Sequence, residues 1–541
     1  MKGLSVTKSV VRKNLYRDSI QLLKISEEAK KIPGVLEAAV VMCTETNKEI
    51  LEKLGLLTEE ARISTENDMV VSLRAKSKTA SSDAMKKIEE MLMKPSVAER
   101  AFYSLDTALK AMPDANLAIV SIPGEHARDV VIPLLERGVN VHLFSDHVPV
   151  EDELELKKIA RQRGLLVMGP GAGTSIINNV AVAFADVVNK GPIGIVAAAG
   201  TGLQEVSVLV SQAGSGISQA IGVGGGDVKK SVGGIMTLEG IKALEADPET
   251  NIITLVSKPP DAEVQVAIMD YVKSECIKSY VTCFVGGETI PIGKDLKERV
   301  RQTKTLHAAA LESIRADDEA KYSEAVKLIS IEPDALIRMA DKISAKLAEE
   351  QRYLRGLYTG GTLMYETMIL VREAMGDIYS NAPLDKRLML TDPYKSFRNT
   401  VVDLGEEEYT KGRAHPMIDP TVRRIRLVNE ASDPEVAVIM MDFVLGYGSH
   451  ADPAGAHVEA IQGAQRIAEK GGRYLPILAH VCGTNKDPQS LAGQVERLQR
   501  LGVTVLPTNA LVALLAWIIA AKGEVKDSTV RRMYKEYLSA V

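Results

Sequence analysis

Ile193-Gly194-Ile195-Val196-Ala197-Ala198-Ala199-Gly200-Thr201-Gly202 is an apolar run that empties into a glycine turn, and the pattern it opens occurs twice in the chain. After the first copy a helical pattern passes through Glu205 and Val210, and Asp247-Pro248-Glu249 introduces the apolar run Ile252-Ile253-Thr254-Leu255-Val256. The second copy has Gly360-Gly361-Thr362, a helical pattern through Glu366 and Val371, then Asp433-Pro434-Glu435 ahead of Val436-Ala437-Val438-Ile439-Met440-Met441. In both, Gly-Thr is followed at the same distance by Glu, so one domain type is used twice. An apolar strand, a glycine turn, a helix and a second apolar strand make the repeating unit of a parallel α/β sheet.

Such a turn leaves the first helix amides unpaired, with the positive end of the helix dipole behind them, and anions and phosphate esters settle there. A single copy reads equally as a tight connection that binds nothing. Two matched copies point to a paired, ligand-facing arrangement, with Gly200, Thr201, Gly202, Gly360, Gly361 and Thr362 as candidate anion-binding residues.

At 541 residues the chain exceeds one core, and three or four domains are expected. Hydrophobic residues at 45% and charged residues at 25% describe an ordinary globular balance. A net charge of −5 gives no basic footprint for nucleic acid, and the longest apolar stretch, Ala510 to Ala521, is too short to span a bilayer. Cys43, Cys276, Cys283 and Cys482 show no CxxC or metal-ligand spacing, so no metal is expected, and reduced thiols fit a cytoplasmic protein.

The pattern along the chain divides it into a small α+β domain (1–66), a Rossmann-like domain (67–190) and two flavodoxin-like domains (191–307 and 355–525). A charged helical connector (308–354) lies between the last two, and a tail (526–541) follows. The strand Met69 to Leu73 is assigned to the Rossmann-like sheet, with Leu117 to Ile122, Val139 to Phe144 and Leu165 to Met168.

Met168-Gly169-Pro170 leading to Gly194-Ile195-Val196 with its Gly-Thr turn resembles the α subunit of succinyl-CoA synthetase. Gly222-Val223-Gly224-Gly225-Gly226-Asp227, leading to Leu244-Glu245-Ala246-Asp247-Pro248-Glu249, is similar to that family's loop and acidic helix end. The second repeat resembles the β-subunit ligase domain, and the whole chain resembles the FdrA family, which fuses these modules. The resemblance implies a CoA-binding type for the Rossmann-like domain (67–190), and Gly224, Gly225, Gly226 and Asp227 as substrate-binding residues. Two departures stand out: no stretch between the two ligase-like domains is long enough for an ATP-grasp module, and Lys76-Ser77-Lys78-Thr79-Ala80-Ser81-Ser82 replaces the glycine-rich loop expected after the first CoA-binding strand.

Lys76, Ser77 and Lys78 suit a small phosphate, and equally a solvated helix start capped by a serine. His307 stands where the ligases carry their phosphoryl histidine, although helix-forming alanines flank it, and a plain surface histidine is the competing reading. His450, after Gly446-Tyr447-Gly448-Ser449, is the first choice for general acid-base work, against a structural turn histidine; His480 is the second. Asp227 and Glu205 can orient a histidine or serve as caps. The FdrA resemblance implies a subunit of an oxamate-type carbamoyltransferase, of purine-catabolic setting, that moves a carbamoyl group between phosphate and nitrogen with separately encoded partners. The alternatives are an acyl-CoA synthetase subunit with an ATP-grasp partner, or a metabolite-binding scaffold. Carbamoyl phosphate or CoA is the expected ligand.

Overall fold

The computed structural model describes residues 5–15, 17–93, 102 and 104–538. The chain divides into two compact units, residues 1–113 with 404–423, and residues 114–403 with 424–541.

In the first unit β1 (Val6–Arg12), β2 (Val35–Met42) and β3 (Met69–Ala75) form an antiparallel sheet of order β1-β3-β2. The period-two alternation divides its side chains. Val40, Met42, Val71 and Leu73 pack with the helices Ser19–Lys30 and Lys78–Met93, whereas Ala39 and Val70 join Leu51, Leu56 and Ala61. Asp18 accepts from the amides of Ile20 and Gln21 and so starts the first helix. This sheet corrects the expected boundary at residue 66. Met69–Ala75 is its central strand, running antiparallel between β1 and β2 and buried at six of seven positions, so it does not open a Rossmann-like sheet. A short apolar run bonded on both edges reads alike in parallel and antiparallel settings. Residues 404–423, an insertion in the second repeat, also belong to this unit, where Asn47 Nδ2 donates to the Gly412 carbonyl at 3.1 Å.

The second unit holds the α/β layers. A small parallel sheet contains β4 (Leu117–Val120), β5 (Asn140–Leu143) and β6 (Val167–Met168), which is what remains of the expected Rossmann-like domain. Next come β7 (Thr174–Ile177), β8 (Val180–Ala183), β9 (Lys190–Ala198), β10 (Ile217–Gly222), β11 (Ile252–Ser257), β12 (Ser279–Phe284) and β13 (Val300–Thr303), in one sheet of order β13-β12-β11-β9-β10-β7-β8. The last sheet has β14 (Tyr353–Tyr358), β15 (Thr400–Asp403), β16 (Val436–Val444), β17 (Ile477–Cys482) and β18 (Thr504–Leu506), in the order β15-β14-β16-β17-β18.

The duplication read from the sequence is real: counted from β9 and from β14, the parallel strands of the two large sheets have the doubly wound order 2-1-3-4-5, with β7 and β8 added antiparallel at one edge of the first. Their central strands are largely apolar and buried; in β16 all nine residues are buried, Asp442 among them. The helix Leu306–Asp317 is no solvated connector. Residues 306 to 314 are buried, and it packs on the Gly200–Gln212 helix as Asn509–Ala520 packs on Gly361–Met375. The closing segment likewise ends in a docked helix, Asp527–Tyr537, burying Val530, Met533 and Tyr537. Among the described residues no helix is long and apolar enough to cross a membrane.

Candidate functional site

In a doubly wound sheet the ligand crevice lies beyond the carboxyl ends of the strands where the order reverses, here between β9 and β11 and between β14 and β16. The two switch points meet. The Thr362 amide, in the first turn of the Gly361–Met375 helix, donates to Thr201 Oγ1 in the first turn of Gly200–Gln212 at 3.3 Å. Glycine permits that approach: a Cβ on Gly202 would stand 2.9 Å from Thr362 Cγ2, and one on Gly360 would stand 2.8 Å from Thr201 Cγ2. The helices therefore point their positive ends at each other, an arrangement that a shared anion relieves. Thr362 Oγ1 and, at the end of β11, Ser257 Oγ are buried there without a hydrogen-bond partner.

The two ends are not equivalent, which corrects the expectation of two open anion sites. Asp442 on β16 accepts from the amides of Thr359 at 2.8 Å and Gly360 at 2.7 Å, and from Thr359 Oγ1 at 3.1 Å. A Cβ on Gly361 would collide with Asp403 Oδ2 and lie 2.8 Å from Lys258 Nζ. The protein's own carboxylates thus fill the second site. In the first copy the strand register puts Val256 where β16 has Asp442. No side chain caps the Gly200–Gln212 helix, and a Cβ on Gly200 would meet nothing nearer than Thr174 Oγ1 at 3.8 Å. The N-terminus of the Gly200–Gln212 helix thus has no counterpart of that carboxylate pair.

Gly224-Gly225-Gly226-Asp227 is a built turn. Gly224 has φ +80°, where a side chain is strained and would strike the Pro170 carbonyl. Asp227 is fully buried and spent: it accepts from the amides of Met236 and Thr237, from Thr237 Oγ1 and from Lys157 Nζ. Lys157, itself fully buried, also reaches Glu153 at 2.7 Å and the Val223 carbonyl at 3.1 Å. The carboxylate caps the Ile235–Ala246 helix, so its expected role toward substrate gives way to a structural one. Lys76, Ser77 and Lys78 lie exposed at the turn after β3 in the first unit, with Ser77 Oγ accepting from the Ala80 amide at 3.1 Å, outside the parallel-sheet setting expected for them.

The histidines distribute differently from expectation. His307 is 1% exposed, with Nδ1 3.2 Å from Thr508 Oγ1 and Nε2 3.3 Å from Ser330 Oγ. Burial pushes it down to about 4. A neutral, enclosed imidazole with both nitrogens engaged has no free atom to carry a phosphoryl group, so the expected role of His307 does not hold. His450 Nδ1 accepts from the Asp452 amide at 3.0 Å, fixing the turn before Pro453–Lys470, whose N-cap is Asp452. It is the structural turn histidine, and its expected acid-base role has no support in that geometry.

The second-choice histidine sits in the more unusual setting. His480 Nε2 lies 2.6 Å from Glu205 Oε2, and both residues are 1% exposed. Burial opposes the imidazolium, but the charge and hydrogen bond of Glu205 outweigh it and hold His480 above its ordinary range. Cys482 Sγ lies in the same cluster, all three ligand atoms being within 4.8 Å of one another. The repeat has a partial echo: Glu366, the counterpart of Glu205, accepts from the Leu306 amide at 2.7 Å and from Asn509 Nδ2 at 2.8 Å, and burial drives its carboxyl up to about 7. The strand registers place Cys283 where the second sheet has His480.

Comparison with known families agrees with the duplicated layout. A CoA-ligase model matches residues 357–519 and a CoA binding domain model matches 188–286, so the CoA-binding match falls on the first repeat and not on 67–190 as expected. An N-terminal model described as AllF, heavy metal-associated domain, matches 2–106. The chain is thus a multidomain α/β protein with segments that match CoA-binding and CoA-ligase domain models. YahF of Escherichia coli is 41% identical over 522 residues, 96% of this chain and 99% of YahF, and the chain belongs to the YahF family.

The succinate–CoA ligase [ADP-forming] subunit alpha of Methanothermobacter thermautotrophicus is 29% identical over 185 residues, which is 34% of this chain and 60% of that protein. The ADP-forming sulfoacetate-CoA ligase subunit SauD of Bilophila wadsworthia is 23% identical over 200 residues, 36% of this chain and 66% of that one. Among solved structures, PH0766 of Pyrococcus horikoshii aligns over 80% of this chain and 88% of its own at 16% identity, with a TM-score of 0.32.

Proposed function

We propose that this chain is an acyl-CoA-ligase-type subunit of the FdrA kind. It binds the anionic group of its substrate at the open N-terminus of the Gly200–Gln212 helix and works in the cytoplasm with separately encoded subunits. The observation that carries the reading is the junction of the two helix N-termini at Thr201 and Thr362, formed by the segments that match the CoA-binding and CoA-ligase models. The uncapped first turn of Gly200–Gln212 and the buried Thr362 hydroxyl are offered to a carboxylate, phosphoryl or thioester oxygen, with the Lys258 ammonium beside Gly361 on the other helix end. Asp442 and Asp403 close the second helix end, so one anion is held and not two. His307, enclosed with both nitrogens engaged, does not relay a phosphoryl group, and activation of the acid falls to a partner chain.

The named ligase relatives favour this alternative over carbamoyl transfer. The chain co-purified with its genomic neighbours is to be given ATP, CoA and a panel of carboxylic acids, and separately carbamoyl phosphate with oxamate. A CoA thioester detected by mass spectrometry in the first mixture is expected. Carbamoylated product in the second, with none in the first, returns the carbamoyltransferase reading and removes this one.

A further inference from the structure

The buried cluster around His480 does more than an ion pair needs. Glu205 comes from the Gly200–Gln212 helix, His480 and Cys482 from β17, and 275 positions separate the carboxylate from the imidazole. Their ligand atoms lie within 4.8 Å of one another, the only group of its kind among the described residues. Glu205 keeps Oε1 without any partner, although the residue is 1% exposed. A buried carboxylate oxygen left unpaired is costly, and one beside an imidazole and a thiol calls for a ligand.

The imidazole is also presented as a ligand is. His480 Nδ1 lies 3.4 Å from the Leu506 carbonyl, which holds Nδ1–H and turns Nε2 toward Glu205, as a backbone carbonyl orients a metal-bound histidine.

We infer that Glu205, His480 and Cys482 form a structural or regulatory site for a divalent transition metal, with zinc as the best match. A thiolate, an imidazole and a carboxylate form a borderline-soft donor set suited to tetrahedral Zn²⁺ and not to Mg²⁺ or Ca²⁺. Binding replaces the proton between His480 Nε2 and Glu205 Oε2 and the Cys482 thiol proton, so two protons leave. Zn²⁺ with one carboxylate and one thiolate then sums to zero charge, which suits a site closed to solvent. The metal bridges the first repeat's helix to the second repeat's sheet, behind the open anion-binding end, and is independent of the acyl-CoA reading.

The full-length chain, purified without a metal-affinity tag, is to be assayed for zinc by mass spectrometry, then stripped with EDTA and titrated with Co²⁺. One metal per chain is expected, with visible d–d bands and a thiolate-to-cobalt charge-transfer band in the near ultraviolet. The charge-transfer band should vanish in Cys482→Ser, and bound metal should fall more than tenfold in His480→Gln, with circular dichroism as the check on folding. Zinc at the buffer level together with no thiolate band in the unaltered chain overturns the site, as does a band that survives Cys482→Ser. The wild-type cobalt spectrum decides the matter even if both variants misfold.

Discussion

His480 and His307 are both fully enclosed, yet their surroundings drive them in opposite directions, and each has its own pH signature. His480 is raised, so in EDTA-stripped protein its pair with Glu205 stabilises the fold fully below about pH 6.5 and is lost as pH climbs through the raised value. Urea midpoints should therefore fall on the alkaline side of about pH 6.5, and His480→Gln should flatten that decline. His307, with His142 and His415, is pushed down to about 4 by burial. The unfolded chain then takes up protons near pH 6.5 that the folded one refuses until about 4, so stability drops across that acid window, by up to about 3 kcal/mol per histidine. His307→Gln should remove a share of the acid slope and leave thioester formation by the assembled complex unchanged. His450→Asn, which can still accept from the Asp452 amide, should also retain turnover.

The two glycine-led helices are the elements that make the site, and their close approach can be tested by adding single methyl groups. Gly202→Ala puts its Cβ 2.9 Å from Thr362 Cγ2 and from Val256 Cγ1, and Gly360→Ala puts its own 2.8 Å from Thr201 Cγ2. Each should cost about 1–3 kcal/mol in urea unfolding and weaken CoA or phosphate binding measured by calorimetry. Asp442→Asn acts in the other sense on the ligand. It keeps an oxygen for only one of the Thr359 and Gly360 amides, which use different carboxylate oxygens, and removes a negative charge from the shared helix ends, so it should lower stability by about 1–3 kcal/mol while tightening the binding of an anion. Unchanged or weaker anion binding in a folded Asp442→Asn protein contradicts the shared-junction geometry.

Across the whole molecule, the prediction concerns which unit holds the ligand. Lys76 and Lys78 are exposed beside a serine-capped helix in the first unit, whereas Lys258 stands beside Gly361 at the helix junction of the second. The double substitution of Lys76 and Lys78 by alanine should leave phosphate and CoA affinity unchanged, while Lys258→Ala should weaken it about fivefold or more, in line with one charge-assisted hydrogen bond. Loss of binding on the first change alone would move the site to the N-terminal unit.

The amino-acid sequence by itself determined the duplication, because apolar strands, glycine turns and Asp-Pro-Glu signals are local and survive without knowledge of neighbours. It also marked both glycine-led helix starts, Gly200-Thr201-Gly202 and Gly360-Gly361-Thr362, without telling apart the one that Asp442 and Asp403 close. What it misjudged was every feature set by distant partners. Met69–Ala75 went to the wrong sheet because a short apolar run says nothing about which strands flank it. His307 and Asp227 looked available because burial and saturation by Thr508, Ser330 and Lys157 are properties of packing. The plug at the second helix end was hidden because Asp442 and Asp403 reach it from strands 82 and 42 residues downstream of Gly360 and Gly361. The Glu205–His480–Cys482 cluster was equally invisible, since only docking of the two repeats brings together donors that no spacing rule connects.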